Sequence, residues 1–188
     1  MRYLGLALHC EGSTDRRFLE PLIRRALLRL VAKHLSAAVD IAEQFVDLAA
    51  TNRELEHVSW RIIDTAPAVD LVFVHADGGN DPECVRRERF DPILDHIRDV
   101  GGDQSLTLVA VVPVRETEAW LLADPDAVRR AFGTTRSINE LDLPANAQDV
   151  EHVPDPKTLL AAAYQRSVGP GRRRRTSRGY QRLLCSAR

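Results

Sequence analysis

A strand, a sharp turn and a long helix are predicted in succession in the stretch LGLALHCEGSTDRRFL near the start of the printed sequence. The apolar run Leu4–His9 is typical of a short buried strand, and Gly12 allows the backbone to turn sharply. Ser13 or Thr14 can cap the helix that follows. Glu11 therefore falls at the carboxyl end of a strand, which is the edge where open α/β sheets bind their ligands.

The same alternation of strands and helices continues along the chain. Hydrophobic spacing predicts helices over residues 14–34, 52–65 and 83–100, with Pro92 able to kink the last of these. Short apolar runs predict one or two strands within 39–48, a strand at 71–74 and a strand at 106–114 that should be central in the sheet. The polar stretch 137–153 is expected to be a loop, and Pro156 to start a further helix. Together these elements predict an α/β fold with a mainly parallel sheet and helices on both faces.

A chain of 188 residues is expected to form one domain, here residues 1–168, with a tail over 169–188. The tail carries the basic run Arg172, Arg173, Arg174 and Arg175, which is suited to contacts with nucleic-acid phosphates, and then residues typical of a short helix. A net charge of -1 gives no overall field toward nucleic acid or membrane. No run of apolar residues predicts a membrane span, and no signal-peptide pattern is recognised, so a cytoplasmic location is expected.

Acidic residues follow each predicted buried strand. Glu11 ends the first, Asp77 ends the strand 71–74, and Glu116 and Glu118 follow the strand 106–114. On a helix Glu116 and Glu118 point about 200° apart, and Glu118 shares the apolar face, where a carboxylate needs a partner such as a metal ion. Carboxylates that meet at one sheet edge repel each other unless a cation lies among them, so Mg²⁺ or Mn²⁺ is the predicted cofactor.

The order of motifs resembles a known family. It runs Glu-Gly-x-Thr-Asp, a strand ending in His-x-Asp, Pro-Val-x-x-x-Glu-Ala-Trp-Leu-Leu-Ala-Asp, and finally Asp-Pro-Lys. This resembles a bacterial family of domains of unknown function, the one numbered four thousand two hundred and seventy-six. That family is similar to the Toprim domains of the overcoming-lysogenization-defect nucleases. The resemblance covers nearly the whole chain and implies a Toprim-like, Rossmann-like three-layer domain.

What this resemblance implies is a divalent-metal-dependent nuclease, with a possible role in defence against phage or mobile elements. Glu11, Asp15, Asp77 and Glu118 would bind the metal ions. Glu11, Asp77 and a basic residue, either Lys157 or Arg115, would act in catalysis. His75 departs from the pattern because it stands where Toprim domains have an acid, and His is a poor ligand for Mg²⁺.

Nucleic acid is accordingly the expected partner, and a partner ATPase is a second candidate. The alternative hypothesis is a Toprim-like module that binds nucleic acid or a partner protein without cleaving it, which the departure at His75 favours. A small-molecule phosphatase ranks last because the first strand lacks an Asp-x-Asp nucleophile motif.

Overall fold

The structure is a computed structural model that describes residues 2–10, 12–48, 55–101, 106–114 and 116–168. The chain divides into two compact units. One unit takes the residues up to 76 together with 83–112, and the other takes 77–82 together with the residues from 113 onward. The chain therefore passes between the two units three times. The predicted tail, 169–188, lies outside the described residues and stays a prediction.

Two parallel β-sheets, one of two strands and one of four, lie in the first unit. Their strands are β1 (Arg2–Leu4), β2 (Leu6–His9), β3 (Val39–Ile41), β4 (Val46–Asp47), β5 (Leu71–His75) and β6 (Thr107–Val111). β1 pairs with β3, the remaining strands follow the order β4-β2-β5-β6, and every described pair is parallel. Only Gly5 separates β1 from β2, and its carbonyl accepts hydrogen bonds from the N–H groups of Asp70 and Leu71. The predicted mainly parallel sheet is confirmed.

The first helix covers one face of this sheet. α1 (Ser13–His34) packs against β2 and β3 and buries Phe18, Leu19 and Ile23. Its observed start is one residue before the predicted Thr14. Full burial of an aliphatic or aromatic side chain of this size stabilises a fold by about 1.5–3 kcal/mol, so this apolar stripe is enough to hold the helix on the sheet.

The opposite face carries α2 (Leu55–Thr65) and α4 (Asp91–Gly101), which pack on each other. Their buried residues share one core with Ala7, Val72 and Val74 of the sheet. Successive residues of a strand point to opposite faces of the sheet. The buried residues that adjoin Ala7, Val72 and Val74 along their strands therefore point to the face that α1 covers. The first unit is thus a Rossmann-like three-layer α/β arrangement, as predicted.

The predicted helix 83–100 is present but irregular. It begins as α3 (Pro82–Val85), passes through a π-helical turn at Arg86–Phe90, and continues as α4. The N–H group of Asp91 bonds to the carbonyl of Arg86, five residues back. Pro92 has no N–H to donate, so the regular ladder is interrupted here and the wider turn accommodates the break.

The prediction that the strand near residues 106–114 is central was wrong. Among the described strands β6 pairs with β5 alone and lies at the edge of the sheet. Its residues from Leu108 to Val111 are half-buried, whereas those of β2 and β5 are largely buried. An apolar run indicates that a strand is covered by other elements, but it does not specify the number of its neighbours.

The second unit is helical within its described residues. It contains α5 (Thr117–Leu122), α6 (Pro125–Phe132), α7 (Ile138–Leu141), α8 (Ala147–Val150) and α9 (Pro156–Ser167). One apolar core joins them, with Leu122, Leu141 and Leu160 fully buried. The loop predicted over 137–153 was wrong, because the capping box of Ser137 and Glu140 starts a short helix there. None of the helices in the described residues is long and apolar enough to cross a membrane.

Candidate functional site

The order of the strands locates a crevice in the first unit. From β2 the chain crosses through α1 to β4 on one side, and it later returns to β5 on the other side of β2. The carboxyl ends of β2 and β5 therefore flank the point where the winding direction reverses, and α/β sheets bind ligands at such points.

A cavity of about 220 Å³ lies at this reversal point. His9 at the end of β2 contributes to its wall, as do Cys10 and Gly12 from the turn that follows, and His75 contributes from the end of β5. Burial, followed by the charge of Asp15, raises the pKa of the Cys10 thiol to about 12. This thiol therefore stays protonated at neutral pH and is not a nucleophile.

Arg16 also lines the cavity but is already neutralised. Its Nε donates to the carboxylate of Glu20 at 2.6 Å, and a terminal nitrogen pairs with the carboxylate of Asp47. The other terminal nitrogen donates to the carbonyl of Phe45 at 3.4 Å. The arginine thus ties α1 to the strand β4 and the loop before it, which is a structural role.

A second pocket, of about 470 Å³, lies in the second unit and contains two of the predicted catalytic residues. Asp77 and Lys157 both line it, together with Glu116, Asp155 and Thr158. The remaining wall is formed by small or rigid residues, namely Gly79, Asn80, Pro154 and Pro156. Three carboxylates and one ammonium group therefore share one open pocket.

Backbone contacts place Asp77 beside the segment that leads to Glu116. Asp77 lies two residues after the end of β5, and the N–H group of Gly78 donates to the carbonyl of Pro113 at 3.0 Å. A Cβ atom on Gly78 would lie only 2.2 Å from that same carbonyl oxygen. Only glycine allows the two backbones to approach this closely.

Lys157 is held by the start of α9. Asp155 is the N-cap residue of this helix, and its carboxylate accepts a hydrogen bond from the N–H of Thr158 at 2.8 Å. Pro156 occupies the first helical position, where a missing N–H costs nothing. The hydrogen bonds from Thr158 lower the pKa of Asp155, so this carboxylate is ionised and occupied by the helix cap.

Glu116 is the electrostatically unusual residue of the pocket. Its Oε2 atom is buried and has no hydrogen-bond partner within the described part of the chain. Burial raises the pKa of Glu116, and the charge of Glu118 raises it further. Lys157 lowers this pKa, whereas Asp77 and Asp155 raise it. A half-buried carboxylate among three others is the arrangement that a bound cation would relieve.

A protein-family model matches residues 10–187 and is described as a domain of unknown function, DUF4276. The chain belongs to the DUF4276 family. The predicted family is therefore confirmed, whereas its similarity to Toprim domains stays a prediction. Neither the curated proteins nor the solved structures contain a significant match to the chain.

The structure brings some predicted site residues of this DUF4276 chain together and separates others by unit. Asp77 and Lys157 share the pocket of the second unit, whereas Glu118 is not one of its lining residues. The charge of Glu118 acts on Glu116, and its carboxylate lies 3.5 Å from Thr117 Oγ1. Asp15 lies in the first turn of α1, in the first unit. Outside the described residues lie Glu11, Arg115, Arg172, Arg173, Arg174 and Arg175.

Sequence reasoning missed Glu116. The apolar helical face favoured Glu118, but Glu116 lies one residue before α5, at the N-cap, where the backbone is extended rather than helical. Angles measured around a helix therefore do not apply to it. The available signal was its position after a strand, five residues beyond the end of β6, as Asp77 lies two residues beyond the end of β5.

Metal binding by the predicted set stays a prediction. Within the described residues no three His, Cys, Asp or Glu side chains are grouped so that they could hold a metal ion. The predicted set includes Glu11, which the structure does not describe, so this finding does not test it. The described pocket of the DUF4276 chain thus offers two carboxylates, Asp77 and Glu116, that are not used as helix caps for α9.

Proposed function

We propose that this protein hydrolyses phosphodiester bonds of nucleic acid with the help of Mg²⁺ or Mn²⁺, at the pocket formed by Asp77, Glu116 and Lys157. One observation carries the proposal: a buried carboxylate oxygen of Glu116 without a hydrogen-bond partner in the described residues, in a pocket that also holds Asp77 and a lysine. An acidic pocket with one cationic side chain suits a metal ion and a phosphate together.

The residues of the pocket fit a magnesium ion. The pKa of Glu116 is raised by burial and by neighbouring carboxylates, and a divalent cation would remove that cost of ionisation. Mg²⁺ in phosphoryl-transfer sites is commonly held by one or two carboxylates, with waters and substrate phosphates completing its shell. Asp77 and Glu116 would supply those two carboxylates, so a third protein ligand in this pocket is not required.

The chain's own residues have separate roles in this proposal. Asp77 and Glu116 would orient the metal ion, which supplies an activated water and neutralises charge on the phosphate. Lys157 would bind a non-bridging phosphate oxygen and stabilise the negative charge that develops there. Its backbone is fixed at the start of α9 by the cap of Asp155, so the side chain is anchored beside the pocket before substrate binds.

A plasmid-cleavage assay tests this function. We expect supercoiled plasmid to be nicked in the presence of Mn²⁺ or Mg²⁺ and to stay intact with EDTA. Asp77→Ala and Glu116→Ala are expected to abolish the cleavage. If the wild type and both variants give the same amount of nicked product, the proposed function is wrong.

A non-catalytic binding module is the second candidate function. His75, which stands where the resembled Toprim domains have an acid, favours it. This module would bind labelled nucleic acid in EDTA and would leave plasmid intact at every metal concentration. Cleavage that depends on both metal and Asp77 would exclude it.

The titration of Glu116 gives a prediction that does not depend on the substrate. In the metal-free protein, Glu118→Gln should lower the pKa of Glu116, because the Glu118 charge is the largest of the neighbouring charges that raise it. Lys157→Met should raise that pKa, because the ammonium group stabilises the ionised form. Carboxyl ¹³C NMR over a pH series measures both shifts.

The control for this titration is Glu151→Gln, which removes an exposed carboxylate of the same unit. It should leave the titration of Glu116 unchanged. Shifts in the same direction for Glu118→Gln and Lys157→Met would contradict the described electrostatics of the pocket.

A further inference from the structure

The outer side of α1 forms a cationic surface of the first unit. Residues 21–38 contain four Arg or Lys residues and no Asp or Glu, in a chain whose net charge is -1. Three of the four cations, Arg25, Arg29 and Lys33, are exposed. Nothing in the packing of the core requires charge on this side, since α1 buries its other side against the sheet.

The spacing of these cations gives a continuous track. Arg25, Arg29 and Lys33 are each four residues apart, so they lie within about 80° around the helix and extend about 12 Å along its axis. Arg24 is adjacent, but its Nε donates to the carbonyl of Ala42 and it belongs to the packed side. In the described part of the chain, no acidic side chain forms an ion pair with Arg29 or Lys33.

We infer that this surface, the α1 track, binds the phosphate backbone of a nucleic acid. Each strand of a duplex has one phosphate per about 3.4 Å of axis, so about 12 Å of helix faces three or four phosphates. The choice of nucleic acid among polyanions rests on the proposed function, because the substrate of a nuclease must also be held outside the reacting centre.

Exposed leucines make an anionic membrane the competing ligand. Leu28, Leu30 and Leu35 are 42%, 54% and 53% exposed. A helix that lies on a membrane has its apolar residues at the centre of the exposed face and its cations at the margins. On α1 the cations occupy the centre and the leucines lie to either side, which favours a hydrophilic polyanion over a lipid surface.

The test is binding of a short fluorescein-labelled DNA duplex to the full chain, measured by fluorescence anisotropy in EDTA over a series of salt concentrations. The double variant Arg29→Gln/Lys33→Gln removes two cations of the track. It should make the negative slope of the logarithm of the binding constant against the logarithm of salt concentration shallower by about 2. It should also weaken binding on the order of 10- to 100-fold at moderate salt, since fewer phosphate contacts release fewer counterions.

The matched control is Arg87→Gln/Arg136→Gln, which removes two exposed cations without described ion pairs elsewhere in the chain. It should bind DNA with the affinity and salt slope of the wild type. Equal losses in the two double variants, or no loss in either, would overturn the inference. So would a wild type that fails to bind DNA, or that binds phosphatidylserine vesicles in its place.

The two proposals fail independently in these experiments. Because EDTA prevents metal-dependent cleavage, DNA binding that requires Arg29 and Lys33 supports the α1 track even in a protein that never cuts plasmid. Conversely, metal-dependent nicking together with unchanged binding by Arg29→Gln/Lys33→Gln would retain the nuclease and remove the track.

Discussion

Glu116→Gln is expected to reduce metal-dependent cleavage by at least about 100-fold. Loss of a residue that contacts a metal only indirectly already reduces activity by up to about 100-fold, and loss of a direct ligand should reduce it at least as much. Glutamine keeps the size of the side chain but carries no negative charge for a cation. Because Glu116 and Asp77 are the two carboxylates of the described pocket outside the α9 cap, one ligand alone would hold the ion weakly. Single-turnover cleavage over a range of Mn²⁺ concentrations measures the effect.

The same substitution should not destabilise the metal-free protein at neutral pH. Burial raises the pKa of Glu116, so the contribution of this group to stability is complete below its unfolded-state pKa and is lost as the pH rises through its folded-state pKa. The ionised form of Glu116 is therefore unfavourable in the folded protein, and glutamine avoids that cost. Thermal melting in EDTA should show an equal or higher midpoint for the variant.

Added Mn²⁺ separates the two effects. The ion should raise the melting temperature of the wild type and leave that of Glu116→Gln unchanged, since a ligand stabilises only the state that binds it. Glu151→Gln, at an exposed position of the same unit, should behave as the wild type in cleavage and in melting. A Glu116→Gln protein that cleaves normally would show that this carboxylate has no part in the reaction.

Gly78→Ala is expected to destabilise the protein by about 3 kcal/mol, near the upper end of the range for overpacked positions. The new Cβ would lie 2.2 Å from the carbonyl oxygen of Pro113, and a backbone atom cannot move aside as a side chain can. The hydrogen bond from Gly78 to Pro113 would lengthen or break as the segments separate. Urea denaturation followed by circular dichroism measures the loss.

Gly79→Ala is the control at the neighbouring position, where the loss of stability has a different physical cause. Gly79 has a φ of 57°, and a Cβ atom added there would have no other atom within 4 Å. Alanine at this position should cost only about 1 kcal/mol, from left-handed backbone strain. If both substitutions cost the same, the close approach at Gly78 is not important for stability. Gly78→Ala should also reduce cleavage, because it displaces Asp77 from the segment before Glu116.

The elements of the sheet could be predicted from sequence because each has a local cause. Short apolar runs ending in turn residues indicated β2 and β5, and the spacing of Phe18, Leu19 and Ile23 indicated the buried side of α1. The edge position of β6 depends on which strands pair across the chain, and no local pattern carries that information. The family membership was also predicted from the order of motifs.

The candidate site was predicted only in part, for a similar reason. Asp77 lies two residues after the end of β5, so its place near a strand end was visible in the sequence. Glu116 lies one residue before the start of α5, whereas Glu118 lies inside this helix. Helix boundaries are the positions where sequence patterns are least exact. The short helices α7 and α8 were missed because four-residue helices show no full hydrophobic period.

The three passages of the chain between its units limit how the protein can be divided. Residues 77–82 belong with the second unit although both flanking segments belong with the first. A fragment beginning at Pro113 would therefore keep Glu116 and Lys157 but lack Asp77, and a fragment ending at Val112 would carry Asp77 without its neighbours. Residues 83–112 of the first unit interrupt the second unit, so no single proteolytic cut or gene fusion point separates the two units. The chemistry of the pocket must therefore be studied in the undivided polypeptide.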